Sequence, residues 1–158
     1  MYQIAKKKYP NTIVWQHATD VVIHHDTFLI CETPKRTPIY SASGHKLSES
    51  IHRLAYIPNH QYFNVWYSRT PEEQISIHFS TPYWMTGQTI QFVDYDVSIL
   101  VTNRSLVIDD IDLWQESSWR YPEQDVRHVL LAISKTVEQL VQDRFAPLDL
   151  LRDVYSRL

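Results

Sequence analysis

The spacing of apolar residues changes once along this chain, and the change limits the fold to strands followed by helices. Up to about residue 109, apolar and polar side chains alternate in short runs, the period of a β-strand with one buried face. After Pro122, apolar residues recur at every third or fourth position, which predicts helices over about 122–145 and 147–158. Strands within about 2–109 and helices at the end predict a single α+β domain over 1–158.

Residues 92–116 hold six of the eighteen acidic side chains of the chain, with Arg104 as the one cation among them. The segment begins as a strand in which Asp94, Asp96 and Ser98 share a face, since same-face residues repeat roughly every 7 Å. A turn at Asn103-Arg104-Ser105 then returns the chain antiparallel. We therefore expect the later acidic residues of the segment to come back towards the earlier ones: Asp109, Asp110 and Asp112.

Two interpretations of this acidic segment stay open. Gathered carboxylates repel one another unless a cation joins them, so the segment fits a site for divalent cations. Alternatively, Asp109 or Asp110 only caps a short helix at about 110–116, while Asp94 and Asp96 line a solvated sheet face.

Composition excludes several classes of protein. The chain has two glycines, so it has no glycine-rich phosphate loop of the P-loop or Rossmann kind. Its net charge is −3 without a long basic run, which gives no reason to expect a nucleic acid polymer as partner. Cys31 is the single cysteine and follows an apolar run, so it is predicted to be a core residue and not a nucleophile. A small molecule is therefore the expected partner.

The sequence also lacks the signals of a membrane or secreted protein. No stretch reaches transmembrane length, and the N-terminus has no apolar segment of the signal-peptide type. We therefore expect a cytoplasmic protein without a membrane partner; the sequence leaves its oligomeric state open.

Two strands near the middle of the chain carry further candidate site residues. Asn64 is predicted to share a face with Tyr62 and Trp66, and His78 shares a face with Ser76. If the sheet curls into a barrel, Asn64 and His78 converge with the acidic strand on one polar pocket, where the Trp66 ring is available to stack on a base. The alternative is that His78 is an ordinary hydrogen-bonded histidine of a strand.

The N-terminal third shows weaker signals. Residues 2–9 are predicted to form an edge strand whose lysines, Lys6 to Lys8, discourage aggregation or reach a phosphate. His25-Asp26 is predicted to be the turn of a hairpin. Residues 32–53 are polar, contain two prolines and Gly44, and are predicted to form a long loop.

Several short motifs together resemble a bacterial family catalogued as domain of unknown function 402. They are Val93-Asp-Tyr-Asp-Val-Ser-Ile, Val107-Ile-Asp-Asp-Ile-Asp, Tyr62-Phe-Asn-Val, Ser80-Thr-Pro and Phe145-Ala-Pro, in the family's order from roughly Thr19 to Leu158. The family includes Gram-positive nucleoside tri- and diphosphatases and a fosfomycin-pathway hydrolase of a cytidylyl phosphonate ester.

The resemblance implies an antiparallel β-barrel of about eight strands with C-terminal helices packed against it. It also implies hydrolysis of phosphate anhydride or ester bonds of nucleotides with a divalent cation (Mg²⁺, Mn²⁺ or Co²⁺), possibly two. The residues expected to hold the metal are His78, Asp94, Asp96, Asp109 and Asp112. Lys8, Asp96 and Asp110 are expected to be catalytic, and Tyr62, Asn64 and Trp66 to bind substrate.

The sequence departs from the family at three of these positions. Ser98 stands where the family has a third same-face Asp, His78 stands where it has Asn, and Ile111 replaces a carboxylate. Fewer carboxylates weaken Mg²⁺ or Mn²⁺ binding, whereas a histidine nitrogen favours Mn²⁺ or Co²⁺. Two hypotheses follow: a metal-dependent nucleotide hydrolase, or a catalytically degenerate relative that binds a nucleotide or another small ligand without hydrolysis.

Overall fold

The computed structural model describes residues 1–103 and 105–158. Over these residues the chain forms eleven β-strands followed by three α-helices and one short 3₁₀-helix. The strands are β1 (Tyr2–Lys8), β2 (Thr12–His24), β3 (Phe28–Thr33), β4 (Pro38–Tyr40), β5 (Lys46–Glu49), β6 (Arg53–Pro58), β7 (Phe63–Ser68), β8 (Gln74–Ser80), β9 (Trp84–Thr86), β10 (Thr89–Thr102) and β11 (Ser105–Asp109). The helices are α1 (Ile111–Ser117), α2 (Glu123–Val141) and α3 (Ala146–Ser156), with the 3₁₀-helix at Ser118–Arg120.

Among the described strands, seven close into a barrel in the order β1-β10-β8-β7-β6-β3-β2, with β2 pairing back to β1. This confirms the predicted barrel with C-terminal helices. One pair, β1 with β10, is parallel, so the barrel is mostly and not wholly antiparallel. The physical reason is parity, since strand direction cannot alternate at every step around a closed ring of seven.

Strand β1 is not the edge strand that the sequence predicted. It pairs with β2 on one side and with β10 on the other, and thereby closes the barrel. The register sets Lys6 opposite Phe92 and Lys8 opposite Asp94. The alternation of polar residues suggested a solvated edge strand. The sequence alone does not show that these lysines face acidic residues more than eighty positions away.

The prediction of a long loop over 32–53 is also wrong. This segment contains the β4–β5 hairpin, which pairs with β2, and its last residue, Arg53, begins β6. The hairpin is exposed throughout most of its length, and β5 is exposed at every position. An exposed hairpin has no apolar alternation, so the period-two signal was missing.

The predicted turn at 103–105 includes Arg104, which lies outside the described residues. The strands on either side, β10 and β11, pair antiparallel as predicted.

The helices begin and end within a few residues of their predicted limits. They pack against the outer face of the sheet, where Phe79, Tyr95, Val129 and Leu151 are buried together. A second core, which includes Ile4, Cys31 and Phe92, fills the inside of the barrel. Within the described part of the chain, no helix has the length and apolar character needed to span a membrane.

Candidate functional site

A cavity of about 350 Å³ opens on the inner face of strands β7, β8 and β10, and we call it the Asp94 cavity. Strands β1, β2 and β6 and the β4–β5 hairpin complete its wall. The residues that line it are Lys6, Trp15, Ile39, Leu47, Ser48, Arg53, Asn64, Trp66, Ser76, His78, Phe92 and Asp94. Two cations and one acid line this space, so its charge favours an anionic ligand.

Asp94 and Asp96 are brought together, as predicted, and a lysine joins them. Lys8 Nζ lies 3.1 Å from Asp94 Oδ2 and also contacts Asp96 Oδ1. Lys6 Nζ lies 3.6 Å from the same oxygen of Asp94. The like-charge repulsion expected from the sequence is thus offset by two ammonium groups of β1.

Asp96 reaches this cluster through a bulge and not through regular alternation. The register of β10 against β8 shifts between Asp94 and Ser98, and Asp96 has φ 71°. Aspartate is one of the few residues other than glycine that tolerates this left-handed conformation. The second oxygen of Asp96 accepts a hydrogen bond of 2.5 Å from Tyr121 Oη, so both of its oxygens have partners.

His78 lies beside the free oxygen of Asp94. Its Nδ1 is 3.9 Å from Asp94 Oδ1, and its Nε2 is 2.6 Å from the hydroxyl of Ser76. Burial lowers the pKa of His78 to about 4, although the negative charge of Asp94 acts in the opposite direction. The imidazole is therefore neutral at pH 7. Among the described residues Asp94 Oδ1 has no hydrogen-bond partner, although it is buried.

The predicted metal ligands fit a divalent cation only in part. A gap of 3.9 Å between Asp94 Oδ1 and His78 Nδ1 is within the reach of two coordination bonds of about 2.1 Å each. Asp96, in contrast, is occupied by Lys8 and Tyr121. Among the described residues, no group of three or more His, Cys, Asp or Glu side chains is arranged to hold a metal ion.

The three later acidic residues do not join this pair. Asp109 ends β11 and lies opposite Ser98, which in turn lies opposite His78, so one strand separates Asp109 from His78. Asp110 is the N-cap residue of α1 without a side-chain capping bond, and Asp112 is in the first turn of α1. All three are exposed. Their metal-binding and catalytic roles stay predictions.

Of the predicted substrate-binding residues, Asn64 and Trp66 line the cavity and Tyr62 does not. Asn64 is buried, donates to Ser80 Oγ and accepts from Trp66 Nε1, so it holds the indole in place. Tyr62 precedes the first residue of β7, and its ring stacks on His128 of α2 at 4.5 Å. Tyr62 was predicted to share a face with Asn64 because side chains alternate along a strand. That alternation does not apply to Tyr62, which lies outside β7.

Arg53, Trp15 and His17 were missed from the sequence. The Arg53 guanidinium lies 4.2 Å from the centroid of the Trp66 ring and 5.8 Å from that of Trp15, and it donates to His17 Nε2. Arg53 lies on β6, whereas Trp15 and His17 lie on β2. No local pattern links these two strands, which are not neighbours in the sheet, so the sequence carried no signal for this group.

This fold, a barrel with C-terminal helices, is shared by solved structures of nucleotide-bound proteins. FomD with CDP matches with a TM-score of 0.76 and 10% identity, over 90% of this chain and 84% of that one. The phosphatase SC4828 with the non-hydrolysable nucleotide GPCP matches with a TM-score of 0.75 and 12% identity, over 89% of this chain and 81% of that one. The resemblance predicted from the motifs is thus confirmed at the level of the fold. No protein-family model matches the sequence, and no curated protein matches it significantly.

Proposed function

We propose that the protein is a divalent-metal-dependent hydrolase of nucleotides that acts on phosphate anhydride or ester bonds in the Asp94 cavity. The observation that carries the proposal is the buried oxygen Oδ1 of Asp94, which has no hydrogen-bond partner among the described residues and lies 3.9 Å from a neutral imidazole. An unpaired carboxylate oxygen of this kind is costly unless it serves a ligand, a water or a cation. The nucleotide ligands named with FomD and SC4828 support the same substrate class.

The charges around the cavity suit a phosphorylated substrate. Lys6 lines the cavity, and Lys8 is close enough to contact both Asp94 and Asp96. The Lys6 ammonium, on the wall of the partly buried cavity, attracts phosphate oxygens more strongly than it would in water. We assign Lys8 to neutralising charge on the leaving group, and Asp96 to holding Lys8 in position.

Asp94 and His78 have complementary tasks in this proposal. Because its pKa is about 4, His78 does not act as a general acid at neutral pH, but its nitrogen can accept a hydrogen bond or bind a cation. Asp94 Oδ1 is the free carboxylate oxygen that can bind the same cation. These two residues would hold a divalent cation, which when bound supplies charge neutralisation at the phosphate oxygens.

The test is phosphate release from a panel of nucleoside di- and triphosphates and nucleotidyl esters with Mg²⁺, Mn²⁺ or Co²⁺. We expect turnover with at least one substrate and metal, and we expect Asp94→Asn to lower kcat by about 100-fold or more. Asp26→Asn, the same change in the exposed turn between β2 and β3, is the matched control and should leave kcat unchanged.

A second candidate function, nucleotide binding without hydrolysis, is favoured by one specific observation. Lys8 already occupies the space between Asp94 and Asp96 where two carboxylates would share a cation. If no substrate turns over with any metal while nucleotides raise the melting temperature, the binding protein is the correct description. A lack of both turnover and thermal stabilisation would exclude both candidates.

A further inference from the structure

Arg53 is a mostly buried cation without a negative partner. Within the described residues, no carboxylate lies within 4.0 Å of its guanidinium, and its Nε is buried without a hydrogen-bond acceptor. Desolvation lowers the pKa of Arg53 to about 10, which reflects the cost of keeping the charge there.

The protein contacts of Arg53 hold it in place but do not neutralise it. His17 Nδ1 donates to the carbonyl oxygen of Ala18, so Nε2 is the acceptor for Arg53 at 2.9 Å and the ring is neutral. Burial also lowers the pKa of His17 to about 4. The Trp66 ring supplies a cation–π contact, which orients the guanidinium without cancelling its charge.

Arg53 lies where the Asp94 cavity meets a second cavity of about 330 Å³, which we call the Gln74 cavity. The two cavities share Arg53, Trp66 and Ser76. Along β7 and β8, the pair Asn64–His78 is followed on the same face by Trp66–Ser76, roughly 7 Å further on. The two cavities therefore adjoin at Arg53, and together they line a stretch of the sheet longer than a single phosphoryl group needs.

We propose that Arg53 is the receptor for a second phosphoryl group of the ligand, separate from the one held near Lys6 and Asp94. A planar guanidinium with free N–H groups matches phosphate oxygens in a two-pronged contact. The proposal deepens the nucleotide-binding function proposed above and rests on it. It makes Arg53 the residue that distinguishes ligands with two linked phosphoryl groups from ligands with one.

Inorganic pyrophosphate and orthophosphate test this inference without reference to a base or to turnover. Calorimetry without divalent cations should show that the wild-type protein binds pyrophosphate more tightly than orthophosphate. Arg53→Gln should weaken pyrophosphate binding about 10- to 100-fold, the value of a charge-assisted contact, and change orthophosphate binding by less than about threefold. Arg127→Gln, the same change on the exposed face of α2, is the control and should alter neither affinity.

Each other outcome overturns the inference. Equal loss for both ligands would mean one anion site that includes Arg53, and no loss for either would make Arg53 structural. Equal wild-type affinities would remove the second site altogether. Because no hydrolysis is measured, these results are separate from failure of the proposed enzymatic activity.

A second variant covers the case in which Arg53→Gln does not fold. Arg53→Lys keeps the charge and loses the fork, so it should still weaken pyrophosphate binding by about tenfold. Unchanged pyrophosphate affinity in a folded Arg53→Lys protein would contradict the two-pronged contact. Circular dichroism and thermal unfolding establish whether each variant is folded.

Discussion

At the scale of single residues, the Lys8 ammonium does what a bound cation would do for two carboxylates. It contacts Asp94 and Asp96 from the neighbouring strand, and Lys6 adds a second positive charge near Asp94. Both carboxylates are largely buried, whereas the Lys8 side chain is 37% exposed. Lys8 is therefore partly screened by water, whereas the two carboxylates are poorly solvated. Removal of the Lys8 charge destabilises the native state mainly because these carboxylates lose a positive partner.

Lys8→Met tests this balance, because methionine has similar length and no charge. We expect the free energy of unfolding at pH 7 to fall by about 1–2 kcal/mol, since two buried carboxylates lose a partner. Urea unfolding measures this change. Mn²⁺ should stabilise the variant more than the wild type, because a cation that binds the native state restores the missing charge.

Lys46→Met is the matched control for this experiment. Lys46 pairs with Glu49 on the exposed β5 strand, so its loss should cost less than about 0.5 kcal/mol. An equal loss in the two variants would show that the Lys8 contacts are no stronger than a surface pair.

At the scale of elements, the register of four strands defines a polar row on the inner face of the sheet. Asn64, His78, Ser98 and Asp109 lie opposite one another on β7, β8, β10 and β11. Ser98 is buried between His78 and Asp109. The bulge at Asp96 shifts the register between Asp94 and Ser98, yet Ser98 stays on the face of His78.

Ser98→Asp places a carboxylate between His78 and Asp109, neighbours of Ser98 at the usual cross-strand spacing of about 5 Å. We expect Mn²⁺ affinity to rise at least about tenfold, because the ligand count and the negative charge both increase. Without metal, the variant should lose about 1–3 kcal/mol through burial of the new group. Mn²⁺ titration calorimetry and urea unfolding measure the two effects.

Ser98→Asn separates charge from shape in the same position. Ser98→Asn should lose less stability than Ser98→Asp, and it should show no comparable gain in Mn²⁺ affinity. A folded Ser98→Asp protein with unchanged Mn²⁺ affinity would mean that this row does not form a cation site.

At the scale of the whole molecule, barrel closure buries imidazoles in neutral form. His17 is fully buried, and burial lowers its pKa from 6.5 to about 4, as it does for His78. At these two side chains, the unfolded chain therefore binds more protons than the native state between about pH 4 and pH 6.5. Stability consequently rises with pH across this interval and is lost as pH falls through it.

His17→Gln should flatten this part of the stability curve. We expect the difference in unfolding free energy between pH 6.5 and pH 4 to shrink by on the order of 2–3 kcal/mol, because one of the two shifted groups is removed. Urea unfolding at several pH values gives the slope. His24→Gln, at an exposed position of β2, should leave the slope as in the wild type; an unchanged slope in His17→Gln would show that His17 is not the group that titrates.

Elements whose buried residues repeat at a local period could be predicted from the sequence. Alternation in β7, β8 and β10 and helical spacing after Pro122 predicted strands and helices close to their observed limits, because a buried face repeats every two or 3.6 residues. The buried state of Cys31 was predicted from the apolar run that it follows. The proximity of Asp94 to Asp96 was predicted from alternation, although a bulge brings Asp96 there. Exposed elements such as the β4–β5 hairpin were missed because they bury no face.

Which distant residues form the cavity depends on how the strands pair around the barrel. Barrel closure set β1 beside β10 and so brought Lys8 to Asp94, a pairing that follows from the ring of seven strands and not from either segment. The same closure brought His17 of β2 to Arg53 and Trp66, which lie on the neighbouring strands β6 and β7. Cross-strand register is a property of the whole sheet, and side chains that meet through it leave no periodic trace in the sequence.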